Sequence, residues 1–243
     1  MFKPFWLAMQ FLSRFPTPSY QEVSAEEVGR STHWFPVVGL FIGLLLITVA
    51  QLHSWLPDPV VAALVLLFWI WSTGALHLDG LADSADGWLG GMGDPQRALA
   101  IMKDSRIGTG GGVALVGLLI LKWSVLTVII EQQVWLLLLV APVIGRVASI
   151  ALMPVTQYVS LNGIANDMFE HLNRSLIWGW LVVLSLALIW FNFLVFVALV
   201  LVWFWLRWLM IRITGGMTGD TAGAMVEVME VAWLLAIAVV LIS

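Results

Sequence analysis

The residues HLDGLADSADG, positions 77–87, place three aspartates directly after a long apolar run. Asp79, Asp83 and Asp86 stand at positions i, i+4 and i+7. This spacing puts the three carboxylates on one face of a helix, stacked over two turns. The stretch therefore predicts a helix with an acidic face where the chain leaves an apolar segment.

The acidic face requires compensation for its charge. Like charges at i and i+4 repel each other, and a charged side chain at the centre of a bilayer costs about 2.5–3.5 kcal/mol. A divalent cation bound to the carboxylates would remove both penalties. Mg²⁺ suits oxygen ligands best, since it is usually held by a few carboxylates together with substrate phosphates. We therefore expect Asp79, Asp83 and Asp86 to be ligands of Mg²⁺ in a phosphoryl-transfer site at a membrane surface.

The composition indicates an integral membrane protein. The 243 residues are 61% hydrophobic and 11% charged, with a mean hydropathy of +0.98, whereas soluble domains average about 25% charged residues. The net charge of −4 argues against nucleic-acid binding, which normally needs a basic patch. The absence of cysteine excludes disulfides and thiolate chemistry, and no HExxH pair or cleavable signal peptide is recognisable. We expect one all-α, polytopic membrane domain over residues 1–243.

The apolar pattern predicts seven transmembrane helices. A run of 35 residues, 176–210, is too long for one crossing of a ~30 Å core, which needs about 20 residues, so we divide it near Asn192. Residues 1–16 carry apolar side chains on one side and predict an interfacial amphipathic helix. Gly39 and Gly43 form a small-xxx-small pattern that favours close helix packing. The expected spans are 34–55, 60–76, 112–130, 134–153, the two halves of 176–210, and 224–242.

The distribution of Lys and Arg predicts the orientation of these spans. With a cytoplasmic N-terminus, the outward loops at 56–59, at 131–133 and near Asn192 contain no Lys or Arg. Lys122 is the exception, because it lies in the middle of a span. The basic residues expected inside are Lys3, Arg14, Arg30, Arg97, Lys103, Arg106, Arg174 and Arg212. This orientation predicts a bacterial inner-membrane protein whose acidic motif and glycine-rich loops all face the cytoplasm.

Two glycine-rich segments on that side precede predicted helices. The N-terminus of a helix binds phosphate through free backbone N–H groups and the helix dipole. Lys103 and Arg106 add positive charge beside the first segment, and Arg can bind phosphate in a bidentate manner. The glycines expected to contact phosphate are Gly108, Gly110, Gly215 and Gly219.

Four further titratable residues are candidates for catalysis, each with a simpler alternative. Asp104 would complete the metal shell or only pair with Arg106 or Lys103. Asp220 would act in catalysis or in metal binding, or only cap the last helix. Glu227 is an intramembrane acid and so a functional candidate, although acids near a helix N-terminus also complement its dipole. His77 lies on the helical face opposite Asp79, which favours a structural role over a catalytic one.

The motifs together resemble those of a known family. HLDGLADSADG, IMKDSRIGTGGG (101–112) and TGDTAGAMVE (218–227) are similar, in this order, to segments of the bacterial cobalamin synthases, or adenosylcobinamide-GDP ribazoletransferases. The opening FLSRFPTP and WFPVVGLFIG resemble that family too. The resemblance implies a Mg²⁺-dependent inner-membrane enzyme that joins adenosylcobinamide-GDP to α-ribazole or its 5′-phosphate and releases GMP. It implies these two substrates and membrane lipid as partners; the oligomeric state, a homo-oligomer included, stays open.

Two other functions remain as alternatives. CDP-alcohol phosphotransferases also use spaced aspartates on membrane helices, but their DGxxAR segment is absent, since DGLAD lacks the Arg. An ion-coupled transporter would place its carboxylates near the bilayer midplane on broken helices of two repeated halves. The predicted position of the acids at helix ends on one side of the membrane favours an enzyme.

Overall fold

The structure, a computed structural model, describes residues 2–160 and 164–242, and these fold into α-helices joined by short connections. In chain order the helices are α1 Lys3–Leu12, α2 Ala25–Ser31, α3 Phe35–Ala50, α4 Asp58–Thr73, α5 Leu76–Gly91, α6 Pro95–Met102, α7 Thr109–Glu131, α8 Trp135–Leu152, α9 Ile164–Glu170, α10 Arg174–Phe191, α11 Phe193–Thr214 and α12 Gly219–Ile242. Short 3₁₀ turns flank α3 on both sides.

The described helices form a polytopic membrane bundle, as predicted. Six helical stretches are long and apolar enough to cross a membrane, and α4 with α5 makes a seventh if this bent pair counts as one broken span. The predicted amphipathic helix is present as α1, and it buries Ala8, Met9 and Leu12. The chain is therefore a multi-pass membrane protein.

Small residues allow close packing between α3 and α8. A Cβ atom added to Gly39 would lie 2.7 Å from the carbonyl oxygen of Pro142, and one added to Gly43 would lie 2.5 Å from that of Leu139. The two glycines therefore let the backbones approach each other, and the packing face predicted from their spacing is confirmed.

The hinge predicted near Asn192 is also confirmed. Helix α10 ends at Phe191, and α11 begins at Phe193. The Asn192 side-chain oxygen accepts hydrogen bonds from the N–H groups of Leu194 at 3.0 Å and Val195 at 3.2 Å. Asn192 therefore caps α11, which satisfies N–H groups that have no carbonyl partner within the helix.

The second predicted span does not run straight into the acidic motif. Gly74 and Ala75 both adopt left-handed backbone conformations, with φ of +62° and +58°. Glycine commonly ends a helix in this conformation. The axis consequently turns by 87° between α4 and α5, so the apolar span and the acidic motif lie on two separate helices.

Other predicted boundaries also moved. Helices α6 and α9 lie between the predicted spans, where the sequence analysis placed no helix. The last span begins at Gly219 and not at Ala224. The residues expected to form a glycine-rich loop before it are therefore partly inside the helix.

Candidate active site

Helix α5, which carries the acidic motif, packs closely against α7 and α12. A Cβ atom added to Gly80 would lie 2.6 Å from the carbonyl oxygen of Asp220, and one added to Gly111 would lie 2.9 Å from that of Ala82. Gly80 and Gly111 thus allow the three backbones to approach. This packing brings the start of α12 beside the acidic face of α5.

Four carboxylates gather where these helices meet. Asp83 interacts electrostatically with Asp79, Asp220 and Asp86, and Asp220 also interacts with Asp79. Asp79 is exposed, whereas the other three are partly buried. Within residues 2–160 and 164–242, Asp79, Asp83 and Asp220 form no ion pair. The cluster therefore carries negative charge that no Lys or Arg of the described chain neutralises.

Asp86 has a role that its sequence position did not reveal. Its carboxylate accepts hydrogen bonds from the backbone N–H groups of Gly108 at 2.7 Å and Gly111 at 2.9 Å. The carboxylate thereby complements the positive end of the α7 dipole. Gly108 was expected to offer its N–H group to a phosphate, but this donor is occupied by Asp86. Gly110 packs against Leu89 and Ala85 of α5, so it serves helix packing.

The N-terminus of α12 is capped by threonines. Thr218 Oγ1 accepts from the N–H of Thr221 at 3.1 Å, and Thr221 Oγ1 accepts from the N–H of Thr218 at 2.9 Å. The alternative that Asp220 is the cap is therefore wrong. Gly215 ends α11 with φ of +77°, while Gly219 is the first residue of α12. Asp220 is free to face the acidic cluster.

A cleft of about 750 Å³ adjoins Asp86 and the loop before α7. Arg97, Arg106 and Gly108 line it along with Asp86. Lys103 ends α6 nearby and is exposed. The volume lies in the range of small-molecule sites. Asp104 also lines the cleft, so two arginines and two aspartates balance in charge there. Arg97 and Arg106 still offer guanidinium donors of the kind that bind phosphate oxygens.

Asp104 pairs with Arg106, which was the simpler of its two predicted roles. Arg106 Nη2 lies 2.7 Å from Asp104 Oδ2, and Arg106 Nε lies 3.1 Å from Oδ1. The hydrogen bonds and charge of Arg106 hold the pKa of Asp104 below its ordinary value. The pair is exposed in the loop before α7, and Asp104 is not among the carboxylates that interact with Asp83.

Glu227 belongs to a buried ion cluster. Lys122 Nζ lies 2.8 Å from Glu227 Oε2 and 2.6 Å from Glu230 Oε2. Arg146 also pairs with Glu230, and the Lys122 ammonium lies 4.0 Å from the centre of the Trp69 ring. All four charged side chains are buried. Glu227 thus helps to hold α12 to α7, and the cluster explains the mid-span Lys122. Glu227 is not among the carboxylates that interact with Asp83, so its predicted catalytic role gains no support from this position.

His77 faces the interior of the bundle, as its position opposite Asp79 suggested. The residue is 5% exposed and lies against Gly223, where an added Cβ atom would be 3.2 Å from the His77 Cα. Its Nδ1 atom has no hydrogen-bond partner in the part of the chain that the structure describes. This environment favours a structural role for His77 over a catalytic one.

Arg14 lies near the acidic cluster, although the sequence analysis did not single it out as a candidate site residue. Its backbone N–H donates to the carbonyl of Ser72 at 2.8 Å, and its side chain packs over Gly74 at the bend before α5. The guanidinium forms no ion pair with any described carboxylate. Only the folded chain shows that this N-terminal segment meets the start of the acidic helix.

The carboxylates present suit a partly hydrated Mg²⁺ ion better than an ion whose ligands all come from the protein. Among the described residues, no three His, Asp or Glu side chains form a ready-made metal site. The predicted cage of three aspartates is therefore not formed, partly because Asp86 turns to α7. Mg²⁺ does not need such a cage, because it usually keeps several waters and takes one or two carboxylates together with substrate phosphates. The unpaired Asp79 and Asp83 suit that arrangement.

The close contact between α5 and α7 can be tested by substituting two neighbouring glycines of α7. We expect Gly111→Ala to lower activity at least about tenfold and to destabilise the protein by about 1–3 kcal/mol, because the new methyl group overpacks the interface. Its Cβ would lie 2.6 Å from Asp86 Oδ2. Gly112→Ala is the matched control, since a Cβ there has nothing within 4 Å. Turnover and thermal unfolding of both variants test this; equal behaviour would contradict the packing described.

Comparison with known proteins identifies relatives along nearly the whole chain. The family model for cobalamin-5-phosphate synthase matches residues 4–238. An adenosylcobinamide-GDP ribazoletransferase of Pseudomonas putida (strain GB-1) is 47% identical, covering 97% of this chain and 98% of the relative. Proteins of the same name from Pseudomonas syringae pv. syringae (strain B728a) and Pseudomonas fluorescens (strain Pf0-1) are 45% and 43% identical over the same shares of both chains.

No solved structure matches the chain. The residues matched by the family model nevertheless include every carboxylate of the acidic cluster and every member of the buried ion cluster. The chain belongs to the cobalamin-5-phosphate synthase family.

Proposed function

We propose that this protein is an adenosylcobinamide-GDP ribazoletransferase acting in cobalamin biosynthesis. A hydroxyl group of α-ribazole, or of its 5′-phosphate, attacks the phosphorus attached to cobinamide. The bond from that phosphorus to the oxygen of the GMP group breaks, which gives adenosylcobalamin or its 5′-phosphate and GMP. Membership of the family along nearly the whole chain is the observation that carries this proposal.

We further propose that the acidic cluster holds Mg²⁺. Asp79 and Asp83 are the candidates for its ligands, because they share a helical face and lack a basic partner in the described chain. When bound, the ion would neutralise charge on the diphosphate oxygens, which is the main requirement in phosphoryl transfer. Asp86 supports the site indirectly, because it fixes the N-terminus of α7 beside α5.

Side chains near the cluster would bind the phosphates and accept the proton of the attacking hydroxyl. Arg97 and Arg106 of the cleft, together with Lys103, would bind the phosphates of the GDP group. Arg14 at the bend before α5 is a further candidate for this role. Asp220 would accept the proton of the attacking hydroxyl, since it is partly buried and lies at the cluster without a basic partner. A carboxylate in this position can act as a general base.

We expect Asp220→Asn and Asp104→Asn to differ. Loss of a general base typically costs about 10²–10⁴-fold in rate, so Asp220→Asn should lower kcat by that order even at saturating Mg²⁺. Asp104→Asn should leave kcat within about threefold, because an exposed ion pair contributes little. Steady-state rates over a Mg²⁺ series distinguish the two; similar losses in both variants would remove Asp220 from this role.

The distribution of basic residues supports placing this site on the cytoplasmic face of a bacterial inner membrane. The acids, the cleft and the α11–α12 connection lie on the side where most Lys and Arg occur. The connections on the other side, at 56–57 and 132–134, carry none.

The proposed reaction is tested with the purified full-length protein in lipid. We expect release of GMP that needs both adenosylcobinamide-GDP and α-ribazole or its 5′-phosphate, and a corrinoid product that contains the ribazole base. The CDP-alcohol alternative predicts release of CMP from a CDP-linked substrate. If CMP appeared and GMP did not, the proposed function would be wrong.

A further inference from the structure

The connection that follows α8 is joined to the connection between α11 and α12. The N–H of Val159 donates to the carbonyl oxygen of Met217 at 2.9 Å, and the N–H of Met217 donates to that of Gln157 at 2.8 Å. These hydrogen bonds form a parallel β-bridge between Tyr158 and Met217. Met217 precedes Asp220 by three residues, so the bridge places Tyr158 at the start of α12.

Contacts on both sides of the bridge fix its backbone. Arg207 Nε donates to Thr156 Oγ1 at 3.0 Å, and Arg207 Nη2 donates to the carbonyl oxygen of Val155 at 2.6 Å. On the other side, a Cβ atom added to Gly216 would lie 2.5 Å from the carbonyl oxygen of Gln157. The tyrosine of the bridge therefore stands on backbone that is fastened to α11 and packed against the residues before α12.

The Tyr158 side chain lies beside the acidic cluster. Its phenol interacts electrostatically with Asp220, and the residue is only partly buried. Burial raises the pKa of the phenol above its ordinary value, and the charge of Asp220 adds to the rise, against the opposite effect of a hydrogen bond with Ser160. The phenol therefore stays protonated at neutral pH and can donate a hydrogen bond near the carboxylate of Asp220.

The Tyr158 ring is backed by Phe169 of α9. The two ring centres lie 4.8 Å apart, with the ring planes inclined by 33°, which is within the range of favourable aromatic pairs. Both residues are only partly buried, so part of this aromatic surface is accessible. Aromatic side chains bind bases of any kind by stacking, because every base has a π-face. The pair therefore suits a ligand with a planar aromatic group.

The two ends of the acidic cluster offer different binding groups. A Cβ atom added to Gly80 would lie 2.6 Å from the carbonyl oxygen of Asp220, so Asp220 and Tyr158 lie level with the first turns of α5. Asp86, which adjoins the cleft with the two arginines, is six residues further along α5, or about 9 Å at 1.5 Å per residue. A diphosphate fits the arginine end, whereas a nucleoside with an aromatic base fits the tyrosine end.

We propose that Tyr158, backed by Phe169, binds the acceptor nucleoside of the reaction. Its ring contacts the planar base of α-ribazole, and its phenol donates a hydrogen bond to a ribose oxygen next to the attacking hydroxyl. The attacking hydroxyl then lies at Asp220, while the arginines hold the GDP group at the other end of the cluster. This proposal rests on the proposed function, because the acceptor is taken from that reaction.

Tyr20 and Tyr158 are the two tyrosines of the chain, which allows a direct test of binding. The full-length protein is labelled with fluorotyrosine and reconstituted in lipid, so that fluorine NMR records one resonance for each residue. Tyr20→Phe assigns the two resonances. Tyr20 serves as the internal control, because its ring lies against Lys3, whose ammonium is 5.3 Å from the ring centre.

We expect α-ribazole to shift the resonance of Tyr158 and to leave that of Tyr20 in place. GDP should leave both in place, because its phosphates belong at the arginine end. An unshifted Tyr158 resonance at α-ribazole concentrations up to the solubility limit would overturn the proposal. Equal shifts of both tyrosines, or a shift of Tyr158 by GDP as large as that by α-ribazole, would overturn it too.

Kinetics separate binding of the acceptor from a purely structural role of Tyr158. Tyr158→Phe keeps the ring and removes the hydroxyl, so it should raise KM for α-ribazole about three- to tenfold, the effect of one hydrogen bond. KM for adenosylcobinamide-GDP should stay within about twofold. Tyr158→Leu also removes the ring and should raise KM for α-ribazole further. Tyr20→Phe, the matched control, should behave as wild type.

The proposal and the proposed function fail in different ways. The NMR experiment reads binding without turnover, so it decides the proposal even if no GMP is released. Absence of GMP release would refute the reaction. GMP release with equal changes in both KM values in Tyr158→Phe would leave the reaction standing and would remove Tyr158 from the acceptor site.

Discussion

The Asp83→Asn variant is expected to lose about 10²–10³-fold in turnover at ordinary Mg²⁺ concentrations. Removal of one group that stabilises the charge developing in a transition state typically lowers the rate by this factor. Asp83 interacts with the other three carboxylates of the cluster, so its loss weakens the electrostatic attraction of a divalent cation most directly. Raising the Mg²⁺ concentration should recover part of the rate. GMP release from the reconstituted variant measures both effects.

Asp58→Asn is the control for this substitution. Asp58 is the first residue of α4, at the end of that helix opposite the bend that leads to α5. We expect this variant to keep the wild-type rate and the wild-type Mg²⁺ dependence. Near-normal turnover by Asp83→Asn would refute the metal assignment.

The second large effect is expected in the buried ion cluster. Glu230→Gln should reduce the free energy of unfolding by about 3–5 kcal/mol, because removal of one partner leaves uncompensated charge in the interior. Glu230 is 0% exposed and contacts both Lys122 and Arg146. Unfolding of the reconstituted protein by denaturant measures the loss. Glu131→Gln, at the exposed C-terminal end of α7, should change stability little.

A second pair of variants tests whether the loss of stability comes from unbalanced buried charge. Lys122→Met leaves Glu227 buried without the cation that lies 2.8 Å away. The double variant Lys122→Met/Glu227→Gln removes both charges, so we expect it to be more stable than Lys122→Met alone. The single variant Glu227→Gln completes the cycle. If the loss in the double variant equalled the sum of the losses in Lys122→Met and Glu227→Gln, the interaction described would be contradicted.

Some features of the fold could be predicted because they leave a local pattern. The hinge at Asn192 interrupts an apolar run that is too long for one crossing. Gly39 and Gly43 are spaced for close helix packing, and they do face α8. Asp79 and Asp83 lie on one helical face because the helical period is fixed.

Other features depend on contacts between distant parts of the chain. The bend at Gly74 was missed because single glycines are common inside membrane helices, and nothing in the sequence marks Ala75 for a left-handed conformation. The contact of Asp86 with α7 joins positions 22 and 25 residues apart. The sequence also could not tell that Glu227 pairs with Lys122, 105 residues away. Asp86, Gly108 and Glu227 were therefore given roles that the packing assigns differently.

The most direct test asks whether a divalent cation bound by α5 lies against the substrate diphosphate. Mn²⁺ can replace Mg²⁺ at oxygen sites, and pulsed electron paramagnetic resonance detects phosphorus nuclei near the bound ion. With purified protein and adenosylcobinamide-GDP, we expect phosphorus coupling that is lost in Asp83→Asn and kept in Asp58→Asn. Coupling of unchanged strength in Asp83→Asn would show that the cation and the diphosphate meet without the acidic face of α5.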